Sequence, residues 1–109
     1  MELSKKDKQE ARKIIESGLQ REFTNGLTKA DNILNAWKAN SKSSHDAYHQ
    51  LFRHIVVFDK HIARRYDRMS GSNYMLIIAG QLLDGVITEN DLGNLSEDVQ
   101  QSIKMIADI

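Results

Sequence analysis

Between Ser43 and Tyr66 the chain reads Ser-Ser-His-Asp-Ala-Tyr-His-Gln-Leu-Phe-Arg-His-Ile-Val-Val-Phe-Asp-Lys-His-Ile-Ala-Arg-Arg-Tyr. The run Ile55-Val56-Val57-Phe58 in its middle would serve equally well as a buried strand, because short apolar runs carry no period of their own. The surrounding residues decide the matter. Tyr48, Leu51, Phe52, Ile55, Phe58, Ile62 and Tyr66 recur at spacings of three and four, which puts them on one broad face of a helix. Ser43 followed by Asp46 is a capping-box start, and Asn40-Ser41-Lys42-Ser43-Ser44 ahead of it is small and polar, as a linker should be.

Upstream, Ala11, Ile15, Leu19, Phe23 and Leu27 repeat every four residues, and the stripe continues through Ala30, Ile33 or Leu34, and Trp37. Ser4 with Asp7 opens this helix by the same capping pattern. Asn25-Gly26 is a turn signal inside it, so one long helix and two collinear ones both fit. Downstream, Met69-Ser70-Gly71-Ser72-Asn73 breaks the pattern. Tyr74 to Leu83 is then apolar nearly all round, predicting a helix enclosed by others and capped by a left-handed Gly85. Thr88 with Asp91 starts a short turn carrying Leu92 and Leu95, and Ser96 opens a last helix with Val99, Ile103 and Ile106 inward. The absence of proline suits long helices, since proline in a helix interior removes a donor and clashes with the preceding turn. The expectation is an all-α chain whose 109 residues form one domain, 1–109.

Composition narrows the function. Fifteen Lys plus Arg balance fifteen Asp plus Glu, so no global basic field holds nucleic acid or anionic lipid. Charge is nonetheless unevenly placed: Arg53, Lys60, Arg64, Arg65 and Arg68 precede a stretch to Ile103 with Asp84, Glu89, Asp91, Glu97 and Asp98 and no basic residue. That complementarity would suit antiparallel packing within or between chains. No cysteine is present for disulfides, thiol chemistry or thiolate metal sites. The longest apolar run, Tyr74 to Ala79, falls far short of the roughly 20 residues that span a bilayer. With no hydrophobic signal segment after Met1, the expected location is the cytoplasm.

Candidate chemistry is sparse. His45 and His49 are one helical turn apart and, with Asp46, could chelate a metal ion. The competing reading puts both in an exposed first turn and makes His54 and His61 neighbours on one helix edge. Helical di-iron sites draw Glu-x-x-His motifs from several helices, and none occurs here, so no metal is assigned. Asp84-Gly85 with Asp91 has the spacing of a calcium loop, but the earlier ligand positions fall on Gly80 and Leu82, which offer no side-chain oxygen. The basic helix lacks the short turn and second basic arm of a DNA reader. No nucleophile elbow or phosphate-cradling loop is present, so no catalytic residue is assigned and the chain is not read as an enzyme.

Aromatic anchors dominate protein interfaces, which singles out Trp37, Tyr48, Phe52, Tyr66 and Tyr74. Apolar faces this wide on a chain this short expose more surface than one copy covers, which predicts a homodimer.

The C-terminal two-fifths resembles the fluorescence recovery protein family of cyanobacteria. The resembling residues are Ile62-Ala63-Arg64-Arg65-Tyr66-Asp67, Ala79-Gly80-Gln81-Leu82-Leu83-Asp84-Gly85, Asp91-Leu92-Gly93-Asn94-Leu95, and then Asp98, Gln100, Ile103, Lys104 and Ala107. Upstream, Arg21-Glu22-Phe23 and Asn25-Gly26 resemble the family's Arg-Glu-Leu-Asp-Gly. The resemblance implies an elongated helical bundle with long N-terminal helices and a small C-terminal helical head. It also implies a non-enzymatic homodimer without a cofactor, whose client is the photoactivated orange carotenoid protein, which such proteins return to its resting form. At matching places the family's tryptophan falls on His49, its histidine on Phe52, its aspartate on Arg53 and its arginine on Asp59. The scaffold is thus the stronger implication and the client the weaker. Tyr48, His49, Phe52 and Arg53 are expected to face the partner, together with Asp59 and Tyr66.

Overall fold

The structure, a computed structural model, describes residues 2–108. Among them every regular element is helical: α1 (Lys5–Lys38), α2 (Ser44–Tyr66), α3 (Tyr74–Leu83), a single 3₁₀ turn (Glu89–Leu92) and α4 (Glu97–Ala107). Ile55 to Phe58 lie inside α2, so the long-range period prevails over the local run. The fold is an elongated bundle measuring 53 × 25 × 22 Å. A two-helix arm extends from a head in which α3 packs on the first half of α1 and α4 packs on α3.

α1 is one unbroken helix of 34 residues. Asn25-Gly26 does not turn it, and the reason is packing. A Cβ on Gly26 would stand 2.7 Å from Phe58 Cζ, so glycine lets α2 approach closely. Gly18, two turns earlier, does the same for α3, where a Cβ would strike the amide of the buried Gln81. α1 and α2 run antiparallel, since Gly26 meets His54 and Phe58 while Glu22, one turn earlier, meets His61 and Arg65.

The head holds the only sizeable core among the described residues. Ile15, Ile78, Leu92 and Ile103 are fully enclosed, with Ala11, Ile77, Leu82, Leu95 and Val99 around them. α3 is less enclosed than its composition predicts, because Leu76 and Leu83 stay exposed on its outer side. On α4 the packed line runs Val99, Ile103, Ala107, advancing by four each time; Ile106, expected inward, is therefore turned outward. Gly85 adopts the expected left-handed conformation (φ 72°) after α3. The N–H of Val86 donates to Gln81 O (2.9 Å) and that of Gly85 to Leu82 O (3.1 Å), a complete Schellman closure.

Two carboxylates tie the C-terminal elements to α1. Asp7 is buried and accepts from the Ser96 N–H (2.9 Å) and Ser96 Oγ–H (2.8 Å). Ser96 therefore spends its hydroxyl on Asp7 and does not cap α4 with it. Asp91 forms a capping box with Thr88 at the expected turn and also receives both guanidinium branches of Arg21, at 3.0 and 3.3 Å. The Ser96 N–H holds Asp7 below its ordinary value, and the Arg21 bonds hold Asp91 at about 2. Carboxyls depressed by folding stabilise the fold fully above their unfolded values and lose that contribution as pH falls toward the folded ones. The melting temperature is thus expected to drop between about pH 4 and pH 2, and to drop less in an Asp91→Asn variant. An acid profile identical in wild type and variant would show that the Arg21 bond contributes nothing to this loss.

Candidate functional site

The arm is organised by three parallel rows on each helix. On α2 the row facing α1 is Ala47, Leu51, His54, Phe58, His61 and Arg65, with spacings alternating between four and three. On α1 the facing row is Glu22, Gly26, Lys29 and Ile33. Shifting each row by one residue turns it about 100° around its helix. Because the helices run in opposite directions, these two shifted rows emerge on the same side of the arm. They read Phe23, Leu27, Ala30, Leu34, Trp37 on α1 and Tyr48, Phe52, Ile55, Asp59, Ile62 on α2.

That side is apolar and bare. Leu27 is 72% exposed, Tyr48 65% and Phe52 60%, with Phe23, Leu34, Trp37 and Ile55 also open to solvent. A large side chain carries about 150–250 Å², so these leave on the order of 700 Å² of apolar surface on one side. The largest patch on a typical monomer is about 300–600 Å². The sequence stripe Ala11, Ile15, Leu19, Phe23, Leu27 explains how this arises. A strict four-residue repeat drifts about 40° per step around a helix of 3.6 residues per turn. Ala11 and Ile15 are buried in the head, Leu19 is half-buried, and Phe23 and Leu27 have rotated out of the seam.

The opposite side is polar. Shifting the rows the other way gives Arg21, Asn25, Thr28, Asn32 on α1 and Gln50, Arg53, Val57, Lys60, Arg64 on α2. A groove of about 420 Å³ lies on this side between the helices, floored by Val57, Phe58 and Val86 and bordered by Asn25, Lys29, His54 and His61.

Where arm meets head, the seam holds a buried carboxylate. Glu22, 6% exposed, accepts from His61 Nε2 (2.6 Å), Arg65 Nη1 (3.0 Å) and the Tyr66 hydroxyl. Tyr66 in turn accepts from Gln81 Nε2 (3.0 Å), which also donates to Ile15 O (3.1 Å). Arg65 reaches on to Asp84 at the end of α3. Burial, reinforced by the bond to Glu22, pushes the Tyr66 phenol up to about 12. Arg65 is also held above its ordinary value, since its bonds to Asp84 and Glu22 outweigh the cost of burial. The Gln81 Oε1 is buried without a hydrogen-bond partner among the described residues.

The residues expected to face a partner are distributed over several surfaces. Tyr48, Phe52 and Asp59 belong to the bare apolar side. His49 lies on the outer edge, its ring 4.4 Å from that of His45 and 5.3 Å from that of Tyr48. Arg53 lies on the polar side beside Lys29 and His54. Tyr66 is turned inward onto Glu22 and Gln81. His45 bonds Asp46 (3.3 Å) in an exposed first turn, and no group of three or more His, Asp or Glu among the described residues is placed to hold a metal ion. His54 and His61 do share one edge: His54 Nε2 donates to Gly26 O (2.8 Å) two turns before His61 meets Glu22. The Glu22 cluster went unread in the sequence, although Gly18-x-x-x-Glu22-x-x-x-Gly26 marks a carboxylate flanked by close approaches at exact helical spacing.

No protein-family model matches the chain, and neither a curated protein nor a solved structure matches it. No helix is long and apolar enough to cross a membrane.

Removing one member of a buried ionic cluster leaves its partners uncompensated, at a cost of about 3–5 kcal/mol. Glu22→Ala is expected to lose that much in urea unfolding, since Arg65, His61 and Tyr66 all donate to the same carboxylate. A loss below about 1 kcal/mol would reduce Glu22 to a surface ion pair.

Proposed function

We propose that this chain is a homodimeric, non-enzymatic helical adaptor that binds another protein, built on a scaffold of the fluorescence recovery protein kind. The observation that supports this reading is the bare apolar side of the arm. Its two rows alternate by four and three, the repeat with which helices interlock in bundles. A second hairpin turned through a two-fold axis offers the same rows in return, so the contact is self-complementary and closes at two copies. Mating two such faces buries about 1,400 Å², within the usual 1,200–2,000 Å² of a stable interface. The elongated arm and small head agree in outline with what the resemblance implies.

An adaptor of this kind acts by differential affinity: it shifts its client only by binding one conformation more tightly than another. Such work needs no cofactor and no catalytic residue. Light scattering on a sizing column is expected to give twice the chain mass at micromolar concentration. A Leu27→Glu, Phe52→Glu double variant should run as a monomer with its helical circular-dichroism spectrum intact, because both side chains are already outside the core. A wild type that stays monomeric throughout overturns the dimer.

The client is tested separately. His49, Phe52, Arg53 and Asp59 replace all four residues that the family carries at its contact positions, and two of those exchanges reverse charge. Reversed charge at a docking surface costs several kcal/mol. Excess protein is therefore expected to leave the back-conversion of photoactivated orange carotenoid protein unchanged; acceleration would make that protein the client.

A further inference from the structure

We infer that the polar side of the arm is the client-docking surface and that it takes an acidic protein segment bearing one apolar side chain. This rests on the adaptor reading and adds to it the chemistry of the client. Arg53, Lys60 and Arg64 follow one another along a single row of α2, over about 16 Å of helix. Lys29 stands across from them on α1, beside Arg53 and His54. None of these four cations has an ion-pair partner among the described residues.

Three of the nearby carboxylates are already engaged. Glu22 is buried under His61 and Arg65, Asp84 is held by Arg65, and Asp91 by Arg21. What remains on this side is an excess of positive charge, four cations against Asp46 at one end of the row and Asp67 at the other, in a chain whose net charge is zero. Midway along the row, between Arg53 and Lys60, the groove over Val57, Phe58 and Val86 is an apolar hollow of about 420 Å³, room for one large side chain. Cations on either side of an apolar hollow fit a segment with carboxylates along its length and one Leu, Ile or Phe between them.

Nucleic acid and membrane fit less well. Single strands are held by aromatic platforms beside the charge, and here Trp37, Tyr48 and Phe52 lie on the opposite side of the arm. An anionic bilayer takes a broad apolar face fringed by basic groups, and the broad apolar face of this arm lies on the side away from the cations.

The test is fluorescence anisotropy with a labelled peptide of Glu and Asp carrying a single central Leu. Parallel titrations use an oligothymidine strand and phosphatidylserine vesicles. The peptide is expected to bind, to weaken with added salt, and to lose at least about tenfold in affinity in an Arg53→Glu, Arg64→Glu variant. Both side chains are exposed, so circular dichroism should report an unchanged fold. Replacing Leu by Ser in the peptide should weaken binding independently of salt. An absence of peptide binding, indifference to the charge reversal, or tighter binding of the strand or the vesicles overturns the assignment. Light scattering on the same samples separates this outcome from failure of the dimer, which the Leu27→Glu, Phe52→Glu variant addresses on the other side of the arm.

Discussion

The architecture turns on how closely α1 and α2 approach around Glu22. A carboxylate in the seam of two helices is unfavourable unless donors surround it, and those donors must come from the facing helix. Gly18 and Gly26, one turn to either side, remove the bulk that would hold the neighbouring elements away. α2 then delivers His61, Arg65 and Tyr66 to one carboxylate, and Tyr66 passes the contact to Gln81 of α3. α2 is thus joined to the head chiefly through a hydrogen-bonded cluster, with Tyr66 also packing against the core. Its strict geometry fixes the register of α2 on α1, since sliding by a single turn would strand the charge.

Register in turn decides the surfaces. With Glu22, Gly26 and Ile33 committed to the seam, the large side chains one residue further on have nowhere to go within the chain. Phe23, Leu27 and Leu34 emerge beside Tyr48, Phe52 and Ile55, and the cations of α2 emerge on the far side. The arm lacks an apolar core of its own to match that of the head. A two-helix hairpin whose seam sets only Ile33, Leu51 and Phe58 among small and polar residues gains little from hydrophobic burial. The bare face is thus the remaining apolar surface that a second helical pair could cover.

The head follows different rules. Its elements are short, and isolated helices of ten or so residues are marginal in water. α3 and α4 are held by side chains closed around Ile78, Leu92 and Ile103, by the Schellman closure at Gly85 and by two carboxylates anchored on α1. The terminal α4 is thereby tied back to the beginning of α1 through Asp7 and Ser96, far apart in sequence.

What the sequence by itself determined is local: the helical class, the breaks at Asn40 to Ser43 and Met69 to Asn73, the capping box at Thr88 and the left-handed Gly85. Each depends on residues within a few positions of one another, where propensity, capping and period suffice. The tertiary structure alone decided which apolar residues are core and which are surface, because a four-residue repeat rotates around the helix and only the partner element shows where the seam ends. It decided as well that Gly26 continues the helix, that Tyr66 turns inward, that Arg53 and Phe52 occupy opposite sides, and that Glu22 is buried. All four depend on contacts between residues some twenty or more apart, and no reading of one helix at a time contains them.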